Sequence, residues 1–421
     1  MALDPVAQVI VDHYLNSRDF NGLPASSLAV TEADRRSVVL ELLKTVQAEA
    51  VFGDRHPNPH IKAFAAEPLE EQIRKVEAHE DLEHVCLYPT SNVLEAVVDP
   101  SRYPGRPFTL RLALGDGQLD FRAFDLTVLE HYRNDPRYFY RNDDISGWIS
   151  VREAHYRSEA MRESDKVMLE TFGFCYDPDL NRAVAVFLRY LSDLSPEHQQ
   201  VWATKMLTGD YKLHPSYFDS SVLGVRPEGV PIFDAFVHEQ HHINEMCELM
   251  AKPHLFREDF RGENKPRGFG FLIRPTAREF NDFMLLLDKM MSDNINVKFF
   301  ERDIDREVVE ERTDGTRVAT LKGTITMLEE WLAQFFRVRD VARRDEMIAT
   351  FRTVRKMRQS PAHAVRDDDF DQRYFREQRE VMSKAYDAVL TIRLIFSSHP
   401  AVTKKGYKVP DWLAAGRIWT H

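Results

Sequence analysis

The spacing of apolar residues predicts helices near both ends of the chain. Near the start, this spacing occurs in VTEADRRSVVLELLKTVQAEAVF, and Thr31 is a candidate for the N-cap of that helix. Helical patterns return from Glu163 to about Met291 and again in TITMLEEWLAQFF. Two further helices are predicted, from about Arg343 to Arg358 and from about Asp367 to Ser398. The last ~100 residues therefore predict an up-down helical bundle.

Alternation of apolar and polar residues predicts a β-rich region in the middle of the chain. In PFTLRLAL every second residue is apolar, and a Gly-Asp-Gly turn follows, which is a hairpin signal. YFYRNDDISGWISV repeats this pattern around an Asn-Asp turn, and EVVEERTDGTRVATL predicts a further hairpin that turns at Asp314 and Gly315. The expected fold class is mainly α with a small β-rich region, an α+β protein with a C-terminal helical bundle.

These patterns divide the chain into four predicted regions. Residues 1–84 form an N-terminal helical region, and residues 85–160 form a β-rich insert or subdomain. Residues 161–318 are mixed and mainly helical, with a hairpin near the end, and residues 319–421 hold the helical bundle and an irregular tail. We find no internal repeat and no low-complexity segment.

Composition limits the classes of protein to which the chain can belong. It is 43% hydrophobic and 29% charged, which is typical of a globular protein. No stretch of 18 apolar residues and no secretory signal is found, so we expect no membrane association. The cysteines Cys86, Cys175 and Cys247 are widely spaced, which argues against disulfides and thiolate zinc sites and for a cytoplasmic protein. P-loop, GxGxxG and GxSxG motifs do not occur, which excludes nucleotide hydrolysis through them.

The charge of the chain is unevenly distributed. The formal net charge of -11 disfavours a protein coated in nucleic acid, because phosphate contacts need Lys and Arg. Between Trp331 and Ser360, however, the sequence contains eight basic and three acidic residues, a local net charge of +5. Because the planar guanidinium group of Arg matches the geometry of phosphate oxygens, this segment is a candidate phosphate-binding surface. The alternative interpretation is a solvated helix face with intrahelical ion pairs.

The stretch MRQSPAHAV at the end of this basic segment contains the first candidate catalytic residues. Arg358 and His363 lie five positions apart across a Ser-Pro break, and Pro361 is expected to end the preceding helix. A His with a pKa near neutrality transfers the proton of a 2′-hydroxyl or of a leaving oxygen, while an Arg stabilises the charge on the phosphoryl oxygens. This chemistry needs no metal.

An Arg-x4–6-His motif at an interhelical break of a C-terminal bundle resembles the HEPN superfamily of metal-independent ribonucleases. The resemblance covers roughly residues 320–400. It implies that Arg358 stabilises the phosphate, that His363 is the general acid or base, and that Arg355 and Gln359 support them. Members of the superfamily usually have Asn, Asp or His after the Arg, where this chain has Gln359, which forms hydrogen bonds but does not titrate.

The resemblance also implies how such a protein works. Two bundles dimerise and bring two Arg-His motifs into one cleft, so we expect a homodimer, an RNA substrate and no cofactor. The protein would be a toxin or an antiviral-defence effector, whose N-terminal two thirds sense a trigger, bind a protein partner or restrain the nuclease. A catalytically silent bundle for RNA binding or dimerisation is the alternative within this class. If the chain is not HEPN-like, the motif is simply a capped helix end with a His on the surface. Arg393 and His399 also match the pattern, at a helix end where basic residues offset the macrodipole.

A second hypothesis rests on VHEQHHINEMCE. It contains His238-Glu239-x-x-His242, the zincin pattern, in which two His bind zinc and the Glu activates water. Candidates for a third ligand are acidic residues further along the chain: Glu245, Glu258 and Glu263. The apolar side of this helix points about 160° away from the motif, which predicts a solvated face. A metal-dependent hydrolase is therefore the alternative function.

Overall fold

A computed structural model of the chain describes residues 3–79, 81–142, 145–225, 228–311, 317–336, 341–359 and 368–420. It is 50% helical and 15% strand, with several small antiparallel sheets and a C-terminal helical region, which confirms the α+β class. No described helix is both long and apolar enough to cross a membrane.

The chain forms two compact units, Met1–Pro227 and Glu228–His421. The helices of the N-terminal unit are α1 Pro5–Asn16, α2 Glu32–Lys44, α3 Leu69–Ala78, α4 Ser91–Val97, α5 Pro107–Ala113, α6 Glu130–Arg133, α7 Glu153–Tyr156, α8 Leu188–Ser192, α9 Pro196–Ala203 and α10 Pro215–Val222. Its strands are β1 Leu23–Pro24, β2 Ala48–Phe52, β3 Val85–Pro89, β4 Phe121–Phe124, β5 Tyr138–Asn142, β6 Ser146–Val151, β7 Met168–Tyr176, β8 Arg182–Phe187 and β9 Lys212–Leu213.

Two antiparallel sheets organise the N-terminal unit. The first has the strand order β1-β3-β2, and the apolar sides of α1, α2 and α3 share its core. The second has the order β4-β8-β7-β6-β5, with β9 beside β7. The predicted hairpin in YFYRNDDISGWISV is confirmed by the pairing of β5 with β6. The predicted cap is confirmed too, because the Thr31 hydroxyl accepts a hydrogen bond from the Asp34 backbone N–H at the start of α2.

The predicted strand in PFTLRLAL is wrong, since these residues form α5. Pro107 occupies the first turn, where its missing N–H costs nothing. The buried side chains are Phe108, Leu112 and Ala113, a helical spacing, while Leu110 is only half-buried. The predicted hairpin is wrong as well, because the strand after the Gly-Asp-Gly stretch, β4, pairs with β8. Gly115, which ends the turn after α5, adopts the left-handed conformation that favours glycine, with φ of 99°.

The C-terminal unit is built mainly from long helices. Its helices are α11 Ile232–Leu249, α12 Ala277–Met290, α13 Thr324–Phe335, α14 Val341–Gln359, α15 Arg373–Ser397, α16 Pro400–Lys405 and α17 Asp411–Ala414. Its strands are β10 Val230–Pro231, β11 Glu307–Glu311, β12 Arg317–Leu321 and β13 Ile418–Trp419. The pairing of β11 with β12 confirms the hairpin predicted in EVVEERTDGTRVATL, whose turn lies outside the described residues. Parallel pairing of β10 with β13 ties the tail to the start of α11.

One apolar core holds the helices α11 to α15 together. Side chains that are fully buried in it include Phe236, Leu287, Leu328, Phe351, Ile392 and Phe396. The predicted bundle helices are confirmed as α13, α14 and α15, but the bundle also includes α11 and α12, which lie within the predicted region 161–318. Burial of these apolar faces against one another is the main stabilising contribution.

The helix pair that carries the Arg-His motif is antiparallel. Arg343, in the first turn of α14, donates from Nε to the Thr391 hydroxyl near the end of α15, at 3.2 Å. The last helix begins at Arg373 and not near Asp367 as predicted. The Asp368 carboxylate instead accepts a hydrogen bond from the Arg278 N–H in the first turn of α12, where negative charge is favourable, and the Asp369 backbone carbonyl accepts from the Ala277 N–H. His363 and the rest of 360–367 lie outside the described residues.

Candidate functional site

Arg358 lies in the last turn of α14, with its guanidinium group bonded to two carboxylates. Its Nη1 donates to Asp288 Oδ2 at 2.6 Å and to Asp293 Oδ2 at 2.7 Å. Asp288 belongs to the last turn of α12, and Asp293 follows shortly after that helix. The hydrogen bond to Asp288 is the first cause of a raised pKa of Arg358, so this side chain stays charged at every relevant pH.

Arg355 completes this group one turn earlier on the same side of α14. Its Nη2 donates to Asp293, and its Nε lies 3.5 Å from Asp288 Oδ1. We refer to Asp288, Asp293, Arg355 and Arg358 as the Arg–Asp cluster. Two positive and two negative charges balance in it, which matters because the Asp288 side chain is fully buried.

Among the described residues, the guanidinium group of Arg358 forms hydrogen bonds through one nitrogen, Nη1, and 32% of the side chain is exposed. Lys356 and Gln359 on the same turn are exposed. The Arg–Asp cluster therefore fixes the direction of Arg358, and its Nε and Nη2 donate to none of the residues that the structure describes.

Glu239, the predicted zincin base, is fully buried in α11. Arg393 donates from Nε to its Oε2, and the Tyr386 hydroxyl donates to its Oε1 at 3.3 Å. Burial raises the pKa of Glu239, and the hydrogen bond from Arg393 opposes that shift. This carboxylate therefore has a structural partner and no access to a water nucleophile.

The sequence suggested that Arg393 offsets the macrodipole at a helix end, but the structure gives this residue another role. It is buried and bonded to a residue 154 positions earlier. His399 is the N-cap of α16, where its Nδ1 accepts from the Ala401 N–H at 3.2 Å. Neither residue takes part in a second Arg-His pair.

The histidine face of α11 is covered, which corrects the expectation of a solvated face. His242 is buried, and its Nδ1 lies 2.6 Å from the Tyr407 hydroxyl and 3.1 Å from Glu245 Oε2. His238 packs edge-on against Trp412, with ring centroids 5.3 Å apart. The segment after α15 supplies both aromatic residues, and a helical wheel of α11 alone cannot show it.

The donor atoms that converge on this face differ from the predicted ligand set. Those of His241, His242 and Glu245 all lie within 4.8 Å of one another. Among the described residues this group contains neither His238 nor Glu258, and the side chain of Glu263 lies outside the description. The structure thus joins Glu245 and His242, as the sequence suggested, but with His241 in place of His238.

The partners of Arg358 were missed by the sequence analysis. Asp288 and Asp293 lie 70 and 65 positions before it, so no local pattern connects them. One signal was present, because Asp288 interrupts the apolar run FMLLLDKMM. A carboxylate on the apolar side of a helix needs a cation or hydrogen-bond donors, and the structure shows that the basic helix α14 supplies them.

Comparison with known proteins adds no relative from which a function can be transferred. No protein-family model, curated protein or solved structure matches the chain. The function must therefore be inferred from the side chains themselves.

Proposed function

We propose that the protein is a HEPN-like, metal-independent endoribonuclease in which Arg358 stabilises the phosphate and His363 transfers the proton. The observation that supports this best is the state of Arg358, held by Asp288 and Asp293 through one nitrogen with its other edge unbonded among the described residues. Its place in the last turn of α14, within an antiparallel helix pair, fits the motif that led to the proposal.

The proposed chemistry is transesterification of RNA. The 2′-oxygen attacks the adjacent phosphorus, the bond to the 5′-oxygen breaks, and His363 moves the proton that these two oxygens exchange. Arg358 stabilises the negative charge that grows on the phosphoryl oxygens. An Arg whose direction is already fixed by carboxylates loses little entropy when it binds phosphate, and a planar fork matches two phosphate oxygens.

The charge distribution supports RNA as the substrate. The sequence between Trp331 and Ser360 has a local net charge of +5 in a chain of net charge -11, and Lys356 on the last turn of α14 is exposed beside Arg358. Electrostatic attraction would therefore bring RNA to the end of α14 rather than to the rest of an acidic chain. We also propose a homodimer, in which each copy supplies one Arg-His motif, and a toxin or antiviral role in which the N-terminal unit senses the trigger or binds a protein partner.

The proposal is tested by RNA cleavage in excess EDTA, with full-length protein and an end-labelled RNA. Arg358→Ala removes a charge stabiliser and should lower the rate by about 100- to 1,000-fold. His363→Ala removes the acid or base and should lower it by about 100- to 10,000-fold. Growth arrest on expression should disappear in both variants.

Arg352→Ala is the matched control for Arg358→Ala. It lies on the same helix and pairs with Glu329, with 55% of its side chain exposed, outside the Arg–Asp cluster. We expect its cleavage rate to stay within about twofold of the unmodified protein. Activity that EDTA abolishes, or that Arg358→Ala leaves unchanged, would contradict the proposal. RNA binding without cleavage would instead identify a silent binding module.

A further inference from the structure

Apart from the Arg–Asp cluster, a second group of polar side chains converges on the α11 surface. His241 Nε2 lies 3.3 Å from Glu245 Oε1, and His242 Nδ1 lies 3.1 Å from Glu245 Oε2. One carboxylate thus faces a ring nitrogen of two successive histidines. Glu245 stands four positions after His241 and three after His242 in α11, so the helix places the carboxylate beside both histidines.

These spacings match those of a tetrahedral metal site. With metal–ligand bonds of about 2.0–2.2 Å, two ligand atoms of a tetrahedral zinc site lie about 3.4 Å apart. The two observed contacts of 3.1 and 3.3 Å are close to that value. All three side chains offer an atom within 4.8 Å of the others, so no large movement is needed to surround a cation.

A cation at this position would replace a proton that now holds the group together. The Tyr407 hydroxyl donates to Glu245, so His242 Nδ1, 2.6 Å from the Tyr407 oxygen, is the donor in that contact, and a metal ion at Nδ1 takes the place of its proton. His241 Nδ1 lies 3.3 Å from Asp259 Oδ2, and a ring N–H that faces Asp259 leaves the lone pair of Nε2 directed at Glu245.

The surroundings have the form of a metal site's outer shell. A histidine ligand usually donates its other ring N–H to a carboxylate, and Asp259 stands at that position beside His241. Arg261 holds Asp259 in place through a hydrogen bond of 2.8 Å from Nη2. On the other side the Tyr407 hydroxyl donates to Glu245 and lies 2.6 Å from His242 Nδ1.

We infer that His241 Nε2, His242 Nδ1 and the Glu245 carboxylate bind one divalent transition-metal ion, with Zn²⁺ the best match to two imidazoles and a carboxylate. Imidazole ligands select such metals over Mg²⁺ and Ca²⁺, which prefer oxygen alone. A water or the Tyr407 oxygen supplies the fourth position. Because Tyr407 belongs to the segment after α15, the ion fastens that segment to α11. The inference does not depend on the proposed ribonuclease, which works without metal.

The test is metal binding by the purified full-length protein. After dialysis against EDTA, the protein is titrated with Zn²⁺ in a calorimeter, and bound zinc is measured by elemental analysis. We expect one zinc per chain, and a rise in the midpoint of thermal unfolding when zinc is added. Substitution of Co²⁺ should give the visible absorption bands of a tetrahedral nitrogen–oxygen site.

Variants assign the ligands. His241→Ala and the nearly isosteric Glu245→Gln should weaken zinc binding by more than about 100-fold, and Asp259→Asn by about 10-fold through the lost outer-shell contact. His254→Ala is the matched control, because His254 Nε2 pairs with Glu248 at 2.7 Å but belongs to no group of three donors among the described residues. The zinc affinity of His254→Ala should not change, and circular dichroism should show that each variant is folded.

Two results would overturn the inference. One is a protein that binds less than about a tenth of an equivalent of zinc. The other is zinc that remains in Glu245→Gln and His241→Ala but is lost in His238→Ala, which would assign it to the zincin pattern of the sequence.

Discussion

The buried ion pair between Glu239 and Arg393 provides a prediction about stability that separates a structural carboxylate from a catalytic one. Glu239 is fully buried, and only 8% of the Arg393 side chain is exposed. Replacement of Arg393 by Met keeps most of the side-chain volume but leaves a buried carboxylate without its cation. A buried pair broken in this way costs about 3–5 kcal/mol.

The expected loss of stability differs between the two partners of Glu239. For a unit the size of residues 228–421, 1 kcal/mol lowers the midpoint of thermal unfolding by roughly 2–4 °C, so Arg393→Met should lower it by roughly 6–20 °C. Tyr386→Phe removes a hydrogen bond of 3.3 Å and should cost about 1 kcal/mol. In the double variant Glu239→Gln/Arg393→Met neither charge of this pair remains, and most of the loss should be recovered.

The assays are thermal and urea unfolding followed by circular dichroism, with the transition of the C-terminal unit fitted separately. The control is Arg352→Met, which breaks a pair whose side chains are 55% and 41% exposed. Such a surface pair contributes at most about 1 kcal/mol. If Arg393→Met is no more destabilising than the control, or the double variant recovers nothing, the structural role of Glu239 is refuted.

Two predictions concern the N-terminal unit, and both are measured by urea unfolding. Burial lowers the pKa of His198 to about 4, so as the pH falls below 6.5 the unfolded chain binds a proton at this residue before the folded chain does. The free energy of unfolding should therefore be constant in this respect above pH 6.5 and fall by up to about 3 kcal/mol between pH 6.5 and 4. His198→Gln should flatten this dependence, and an unchanged slope would contradict it. Thr31→Ala should cost about 1 kcal/mol through loss of the α2 cap. Ser37→Ala, on the exposed side of α2, should cost less than half as much, and equal losses would argue against the capping role.

Local sequence patterns were sufficient to predict the elements that depend on residues close together in the sequence. Thr31 and the helix after it obey capping chemistry, and the two confirmed hairpins follow from alternation around short turns. The stripe in TITMLEEWLAQFF predicted α13 because its apolar residues meet one core. The α+β class followed from these elements together.

The segment that became α5 shows where such patterns are ambiguous. PFTLRLAL has apolar residues at every second position, but Phe108 and Leu112 also stand at i and i+4. Alternation among leucines satisfies both periods, and only the neighbouring elements decide which residues are buried. Pro107 favoured the helix, since proline is common in a first helical turn and weakens a strand.

The surroundings of the candidate residues could not be predicted, because their partners are distant in the sequence. Arg358 depends on Asp288 and Asp293, and the α11 histidines depend on Tyr407, 165 residues beyond His242. A helical wheel treats the uncovered side of a helix as solvated, whereas the chain after α15 returns to cover α11. Sequence reasoning therefore singled out Arg358 and the histidine helix as candidates but not the side chains that complete each group.

The central claim is that Arg358 and His363 cleave RNA through its own 2′-hydroxyl without metal. The most direct measurement compares, in EDTA, cleavage of one RNA with cleavage of the same strand carrying a single 2′-deoxynucleotide at the mapped cleavage position. The account predicts a 2′,3′-cyclic phosphate and a 5′-hydroxyl from the RNA, and no cut at the deoxy position. A cut at the deoxy position, or products formed equally by Arg358→Ala, would contradict it.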